Sequence, residues 1–351
     1  MDRATRGSGR ATTALLSADV DVIDLSGPVL QVGVVPLGAR LALVRAPDRD
    51  GALADVVLGL AEYVADTAYL GATVGRYANR IAGGTFVLDG QQHRVPCNEA
   101  DVALHGGPDG FDSRVFGADP VVETPDGRAV TLRRTSPAGE NGFPGSLDVT
   151  VTYAVRGTEL AIEHTAVTDA PTVVNLTNHA YWNLAGGGSV EGHVVRIPAS
   201  RYLPVDDRLI PTGELAPVAD TPFDLRTSVR VGERLRDGHP QLRRARGYDH
   251  TFVLDRPGAG LALAAEVHEP VSGRTLTVLT DQPGVQFYSG NMLDGTLVLR
   301  DGTTVRQGDA FCLEPQQFPN APNEPAFPST VLRPGVVYRS RILLRFGVRR
   351  G

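Results

Sequence analysis

Along much of this chain apolar residues recur at every second position. In LDVTVTYAV (147–155), Leu147, Val149, Val151, Tyr153 and Val155 fall on one face. ELAIEHTAV (159–167) answers with Leu160, Ile162, His164 and Ala166, across the short turn Arg156-Gly157-Thr158. A period of two sends successive side chains to opposite faces of a sheet, so both runs are predicted as half-buried strands. RTLTVLTD (274–281) and GVQFYSG (284–290) are again short and rich in β-formers. Asp89-Gly90, Asp126-Gly127 and Asp301-Gly302 carry the two-residue hairpin signal. The helical period is scarce, and ALADVVLGLAEYV (52–64) is the one window predicted as a helix. Strands do not alternate with helices, which argues against a doubly wound parallel sheet. The expected fold class is therefore all-β: a large antiparallel β-sandwich with few short helices.

Composition refines this picture. The 351 residues suffice for a sizeable core, and 40 glycines with 25 prolines are scattered, as many turns between short strands require. No fixed-period repeat and no linker divides the chain. Residues 25–351 are expected to form one domain, after a polar, arginine-bearing lead-in at 1–24 expected to be disordered. Its apolar patch, Ala14 to Leu16, is too short for a signal-peptide core, and no run approaches the roughly 20 residues that span a bilayer. A net charge of −6 gives no reason to expect a nucleic acid or an anionic membrane as partner. Only Cys97 and Cys312 occur, so the chain is not a disulfide scaffold. A reduced, cytoplasmic setting fits, with a single bridge left open.

Polar residues at intended sheet positions are the informative anomalies. If NLTNHAYWNL (175–184) is extended, Asn175, Thr177, His179, Tyr181 and Asn183 point one way, and Leu176, Asn178, Ala180, Trp182 and Leu184 the other. The first face is a wall of hydrogen-bonding groups around a titratable imidazole. It suits either a core histidine satisfied by its neighbours or a binding site. In AFCLEPQQFPNAPNEPAFP (310–328), Phe311 and Leu313 face one way and Cys312, Glu314 and Gln316 the other. Pro315 lacks an N–H, so the strand is predicted to end or bulge at Glu314. That carboxylate is a candidate base, or the partner of an arginine at the sheet rim.

Three further clusters stay open between a site and an ordinary surface role. GATVGRYANRIAGG (71–84) sets Arg76, Asn79 and Arg80 among glycines, either in water or lining a polar pocket. His105 precedes a Gly-Gly-Pro turn, and Asp249 with His250 opens an apolar strand. The eight histidines show no metal-ligand spacing, and nucleotide-binding loops and the serine-hydrolase elbow are missing. A cofactor-free polar pocket with an imidazole and a carboxylate is the chemistry that remains.

Six blocks, taken in order, resemble the aldose 1-epimerases, also called galactose mutarotases. They are LGATVGRYANRI (70–81), LHGGPDGFDSRVF (104–116), ENGFPGSL (140–147), VNLTNHAYWNLAG (174–186), GYDHTFVL (247–254) and EPQQFPNAPNEPAFPSTVLRPGVVY (314–338). The resemblance runs from about residue 25 to the C-terminus and implies a galactose mutarotase-like sandwich with the sugar in a cleft on one sheet. It implies interconversion of the α and β anomers of free aldoses such as galactose and glucose, by acid/base ring opening and reclosure. By similarity His179 is the general acid and Glu314 the general base, while Asn79, Arg80, His105, Asp249 and Gln286 hold sugar hydroxyls. No cofactor and no metal is implied. The expected partner is a small free sugar, without nucleic acid or membrane, and the expected state a monomer or homodimer.

Gln317 stands where many members have histidine, and Asn320 where many have aspartate. Three rival readings share parts of this pattern. A hexose-6-phosphate 1-epimerase would need a basic cluster, which Arg76 and Arg80 would supply. A non-catalytic carbohydrate-binding module would keep the polar wall without requiring an acid and a base together. A glycosidase would need a carboxylate pair, Asp249 and Glu314, and would leave His179 without a role.

Overall fold

The Leu147–Arg156 and Glu159–Thr168 runs form the expected antiparallel pair, Leu147 lying opposite Thr168 and Arg156 opposite Glu159. They are the centre of a ten-stranded antiparallel sheet in a computed structural model that describes residues 22–60, 68–124, 127–256, 258 and 260–350. On one side this pair meets Gly127–Ser136, and on the other Tyr338–Val348, Arg274–Thr280 and Ala262–His268. A second, six-stranded sheet runs Tyr181–Trp182, Phe311–Gln316, Gly284–Tyr288, Asp249–Val253, Arg201–Tyr202 and Ala216–Pro217.

Both sheets turn their apolar faces into one core. Val149, Val151, Tyr153, Val278 and Leu344 of the first lie in the same buried cluster as Phe252, Val285, Phe287, Phe311 and Leu313 of the second. Trp182 and Phe346, from opposite sheets, meet with ring centroids 5.9 Å apart. Each such side chain contributes about 1.5–3 kcal/mol when fully buried. Among the described residues only two α-helices occur, Val231–Leu235 and Pro240–Ala245. The all-β sandwich is what the alternation required.

Four local expectations are corrected. In the described part of 52–64, Leu53–Asp55 is a strand paired with Arg40–Pro47, Val57 bridges Trp182 and Leu60 bridges Leu299. The apolar residues there face sheet neighbours rather than a helical stripe; 61–64 lie outside the described residues. Ordered structure reaches into the expected lead-in, because Ile23 and Asp24 pair with Val34 and Gly33. The segment 175–184 is not one strand: Thr177–Asn178 pairs with Thr73–Val74, whereas Tyr181–Trp182 pairs with Phe311 and Cys312. Finally, Phe311–Gln316 runs through Pro315, which lies opposite Val285. Its other neighbouring strand pairs only Phe311 and Cys312, so at Pro315 only one edge carries a ladder.

The hairpins at Asp89-Gly90 and Asp301-Gly302 form, between Thr85–Leu88 and Gln91–Arg94 and between Asp294–Val298 and Thr304–Arg306. Asp126 lies outside the described residues.

Candidate functional site

The outer face of the six-stranded sheet carries polar groups in register. Phe287, Phe311 and Leu313 point inward, so their neighbours Gln286, Tyr288, Cys312 and Glu314 point out. Pairing sets them in rows: Tyr181, Cys312, Tyr288 and Asp249 in one, and Glu314, Gln286 and Thr251 in the next. Because Tyr181 lies opposite Cys312, stepping back two residues on one chain and forward two on the other brings His179 beside Glu314. The His179 Nε2–Glu314 Oε1 distance is 3.7 Å, with both residues at most 5% exposed.

Glu314 is unusual for a carboxylate. Its Oε2 is buried without a hydrogen-bond partner among the described residues. Burial, with the nearby Asp249 carboxylate adding to it and Arg80 opposing, pushes its pKa well above the usual 4.5. Once ionised, such a group is a stronger base than a carboxylate in water.

Arg80 and Asp249 anchor a chain of polar contacts across the sheet. Arg80 Nε and Nη2 donate to Glu99 at 2.6 and 3.0 Å, and Nη1 lies 3.5 Å from Asp249 Oδ2. Asp249 Oδ1 accepts from Gln286 Nε2 at 2.6 Å, and Gln286 Oε1 accepts from Thr251 Oγ1 at 2.5 Å. Burial alone would lower the Arg80 pKa, but Asp249 and Glu99 outweigh it and the guanidinium stays charged. Burial likewise raises Asp249, with Arg80 and Gln286 pulling the other way.

His105 enters from an adjacent loop. The strands Arg80–Ala82 and Val102–Leu104 pair, with Arg80 opposite Leu104, so the residues at their ends, Asn79 and His105, meet. Both have left-handed backbone, φ 64° and 51°. The Asn79 N–H donates to His105 Nδ1 at 3.1 Å, and the His105 N–H to the Asn79 carbonyl at 3.0 Å. The glycine that follows is obligatory: a Cβ on Gly106, at φ 93°, would lie 2.0 Å from the Gly75 carbonyl oxygen.

Burial, with His179 and Arg80 adding to it, holds the His105 pKa well below 6.5, so the ring is neutral. With Nδ1 accepting the Asn79 N–H, its single proton sits on Nε2. His105 is therefore a fixed hydrogen-bond donor and not an acid. That tautomer also decides a second question. One donor atom each from His105, His179 and Glu314 fall within 4.8 Å of one another, a grouping able to hold a cation. A ring whose Nε2 carries hydrogen has no lone pair there to offer a metal, so the trio suits proton transfer better than coordination.

The structure thus brings His179, Glu314, Arg80, Asp249, Gln286, Asn79 and His105 onto one face. It removes others. Arg76 is buried with its guanidinium donating to Ser136 Oγ and to the carbonyls of Ser136, Pro137, Pro144 and Gly145, so its donors are taken up by loop main chain and not turned to this face. Of the expected polar wall, Asn175 Nδ2 donates to the Ala78 carbonyl, and Asn183 Nδ2 to those of Gly188 and Asp309. These side chains satisfy main chain where the segment is too broken to do so itself. His250 points into the core, its Nε2 3.0 Å from Gln241 Oε1, and burial takes its pKa to about 3.

Two contributors escaped the sequence reading. Glu99 gave no local pattern and is recognisable only through its pairing with Arg80. Tyr69 lies 4.6 Å from the His105 ring and 5.9 Å from the His179 ring, centroid to centroid, on a turn with φ 60° that no periodicity announces.

A buried imidazole–carboxylate pair amid polar side chains on one face of an antiparallel sandwich is what this geometry defines. The comparisons agree: the family model for aldose 1-epimerase matches residues 21–345, and the chain belongs to that family. The galactose mutarotases of Pongo abelii and Homo sapiens are each 44% identical over 336 residues, covering 94% of this chain and 94% of theirs. The crystal structure of an aldose epimerase homologue from C. elegans superposes with a TM-score of 0.86 at 32% identity, over 94% of this chain and 99% of that one.

Proposed function

We propose that this chain is a mutarotase that interconverts the α and β anomers of free aldohexoses, galactose and glucose being the expected substrates. The observation that carries this reading is the pairing of Glu314 with His179 at 3.7 Å. Anomer exchange opens a hemiacetal, so a proton leaves the C1 hydroxyl while another reaches the ring oxygen. Both oxygens are bonded to C1, so the base and the acid that serve them must be close neighbours. In this reading Glu314 takes the C1 hydroxyl proton and protonated His179 gives one to the ring oxygen. The C1–C2 bond rotates, the two groups exchange roles, and the ring closes with C1 inverted. The reaction has no net redox change and forms no bond to the protein.

His105 Nε2–H, Arg80, Asn79, Asp249 and Gln286 then hold the hydroxyls that orient the sugar. These five hydrogen-bonding side chains present donors and acceptors from strands and strand ends, which favours a small polyol over an extended polymer. A 6-phosphate specialist is disfavoured because the Arg76 guanidinium is fully occupied by loop carbonyls and Arg80 by two carboxylates. A binding module would have no use for a buried carboxylate whose pKa is raised beside an imidazole.

The test is anomer exchange by saturation-transfer NMR, with galactose, glucose and glucose 6-phosphate compared at equal concentration. Exchange accelerated for a free hexose over buffer supports the reading. Binding without acceleration favours the module, and acceleration confined to the 6-phosphate favours the phosphate branch.

A further inference from the structure

The acid of the pair has a second neighbour. Cys312 Sγ lies 3.6 Å from His179 Nδ1, on the ring edge opposite the one that faces Glu314. The contact follows from the register: Cys312 is two residues before Glu314 on the outward face of the same strand, opposite Tyr181, two residues after His179. Cys312 is fully buried and not in a disulfide. A thiol is both a weak donor and a weak acceptor. We propose that Cys312 is a positioning residue for His179: its sulfur holds Nδ1–H, fixes the plane of the imidazole and leaves Nε2, the nitrogen that faces Glu314, to give up and regain the transferable proton.

The proposal rests on the reading of His179 as the acid. Burial, with the Glu314 and Asp249 carboxylates adding to it, pushes the Cys312 thiol well above its usual range, so it keeps its hydrogen. In the imidazolium, and in the neutral ring left once Nε2 has given its proton to the sugar, the sulfur accepts from Nδ1–H. In both states the ring keeps one orientation, so proton transfer at Nε2 requires no flip. The other titratable groups that face the ring among the described residues are Tyr69, His105, Tyr181, Tyr288 and Glu314. Tyr69, Tyr181 and Tyr288 present ring faces or edges at centroid separations of 5.1–6.3 Å, which restrict tilt but do not select a tautomer.

The experiment compares wild type, Cys312→Ala and Cys312→Ser by 15N NMR of histidine-labelled protein, assigning His179 by its loss in His179→Gln. Each variant's pH–rate profile for anomer exchange is measured alongside. In wild type, neutral His179 is expected as the Nδ1–H tautomer. In Cys312→Ala it becomes a mixture, and kcat falls about three- to tenfold, the scale of one weak hydrogen bond, with KM little changed. Cys312→Ser, which keeps an acceptor on the same carbon, recovers part of that loss. A His179 tautomer and a kcat both unchanged in Cys312→Ala would overturn the proposal and leave Cys312 as packing. So would a neutral wild-type ring carrying its proton on Nε2. Thermal unfolding of each variant separates these results from misfolding. If wild type exchanges no anomers, the functional reading fails, while the tautomer measurement still decides the Cys312–His179 contact.

Discussion

Arg76→Lys separates structure from binding more cleanly than any change at the acid and base. Arg76 Nη1 donates to the Pro144 and Gly145 carbonyls at 3.0 and 2.8 Å, and Nη2 to those of Ser136 and Pro137, both at 2.9 Å. Nε and Nη2 both reach Ser136 Oγ, at 3.0 and 2.8 Å. Burial lowers its pKa from 12.5 to about 10, so it is still charged at neutral pH. Lysine keeps the charge and its desolvation cost but has three donors on one point instead of a planar fork. About half of these contacts are lost, including carbonyls in a buried loop. At about 1 kcal/mol for each buried group left unpaired, the expected loss is about 3 kcal/mol. In a chain of this size that lowers Tm by about 4 °C. The assay is paired: thermal unfolding for stability, and kcat and KM per folded molecule for the site. The expected result is a clear drop in Tm with sugar kinetics unchanged. An unchanged Tm with a raised KM for sugar or sugar phosphate would refute the structural assignment, since lysine is itself a competent phosphate ligand.

Other perturbations follow from the same geometry. The anomer-exchange rate should fall as pH drops through the ionisation of Glu314, an acid limb well above the ordinary glutamate range, because burial and Asp249 favour the protonated form; a limb at the ordinary value would contradict this. The folded chain holds that proton more tightly than the unfolded one. Wild-type stability is therefore complete below the unfolded glutamate pKa and is lost as pH rises through the folded one, so Glu314→Gln should exceed wild type in Tm at about pH 8 and match it at about pH 4. Asp249→Asn leaves Arg80 and Gln286 short of a charged partner and should weaken sugar binding about tenfold in KM or more, read by initial rates against concentration. Asn320 sits at φ 59° with its Oδ1 accepting the Ala82 N–H at 3.0 Å, so Asn320→Asp should retain activity while Asn320→Ala loses about 1–2 kcal/mol in denaturant melts.

The fold was legible because alternation is a local property. Leu147 to Val155 and Leu160 to Ala166 announce their buried faces without any knowledge of partners, and Asp89-Gly90 announces its turn. The window at 52–64 misled because short apolar runs, packed on several sides, carry no clean period. In the site, the alternation Phe311, Cys312, Leu313, Glu314 assigned outward faces correctly. What no residue string contains is register: that Tyr181 lies opposite Cys312, and hence His179 beside Glu314, depends on pairing between segments about 130 residues apart.

Arg76 and Arg80, four residues apart in one block, show the same limit. One fills a loop with its guanidinium and the other meets Glu99 and Asp249, and only the surrounding chain distinguishes them. The resemblance identified His179, Glu314 and the residues around them, but the reasons those side chains behave differently from free ones lie in burial and neighbours. Gln317 and Asn320 belong to the same lesson. The Gln317 N–H donates to Asn175 Oδ1 at 2.9 Å, and its Nε2 to Gln282 Oε1 at 3.2 Å. Gln317 and Asn320 therefore support the loop after Glu314 through hydrogen bonds.

The most direct test of the acid–base account is polarimetry on freshly dissolved α-D-galactose and α-D-glucose with wild type, Glu314→Gln and His179→Gln. The account predicts a faster approach to the anomeric equilibrium with wild type for at least one of the two sugars. Each substitution should remove most of that acceleration, by about a hundredfold or more, the usual scale for losing a general acid or base. Wild-type rates that persist in Glu314→Gln would contradict the central claim.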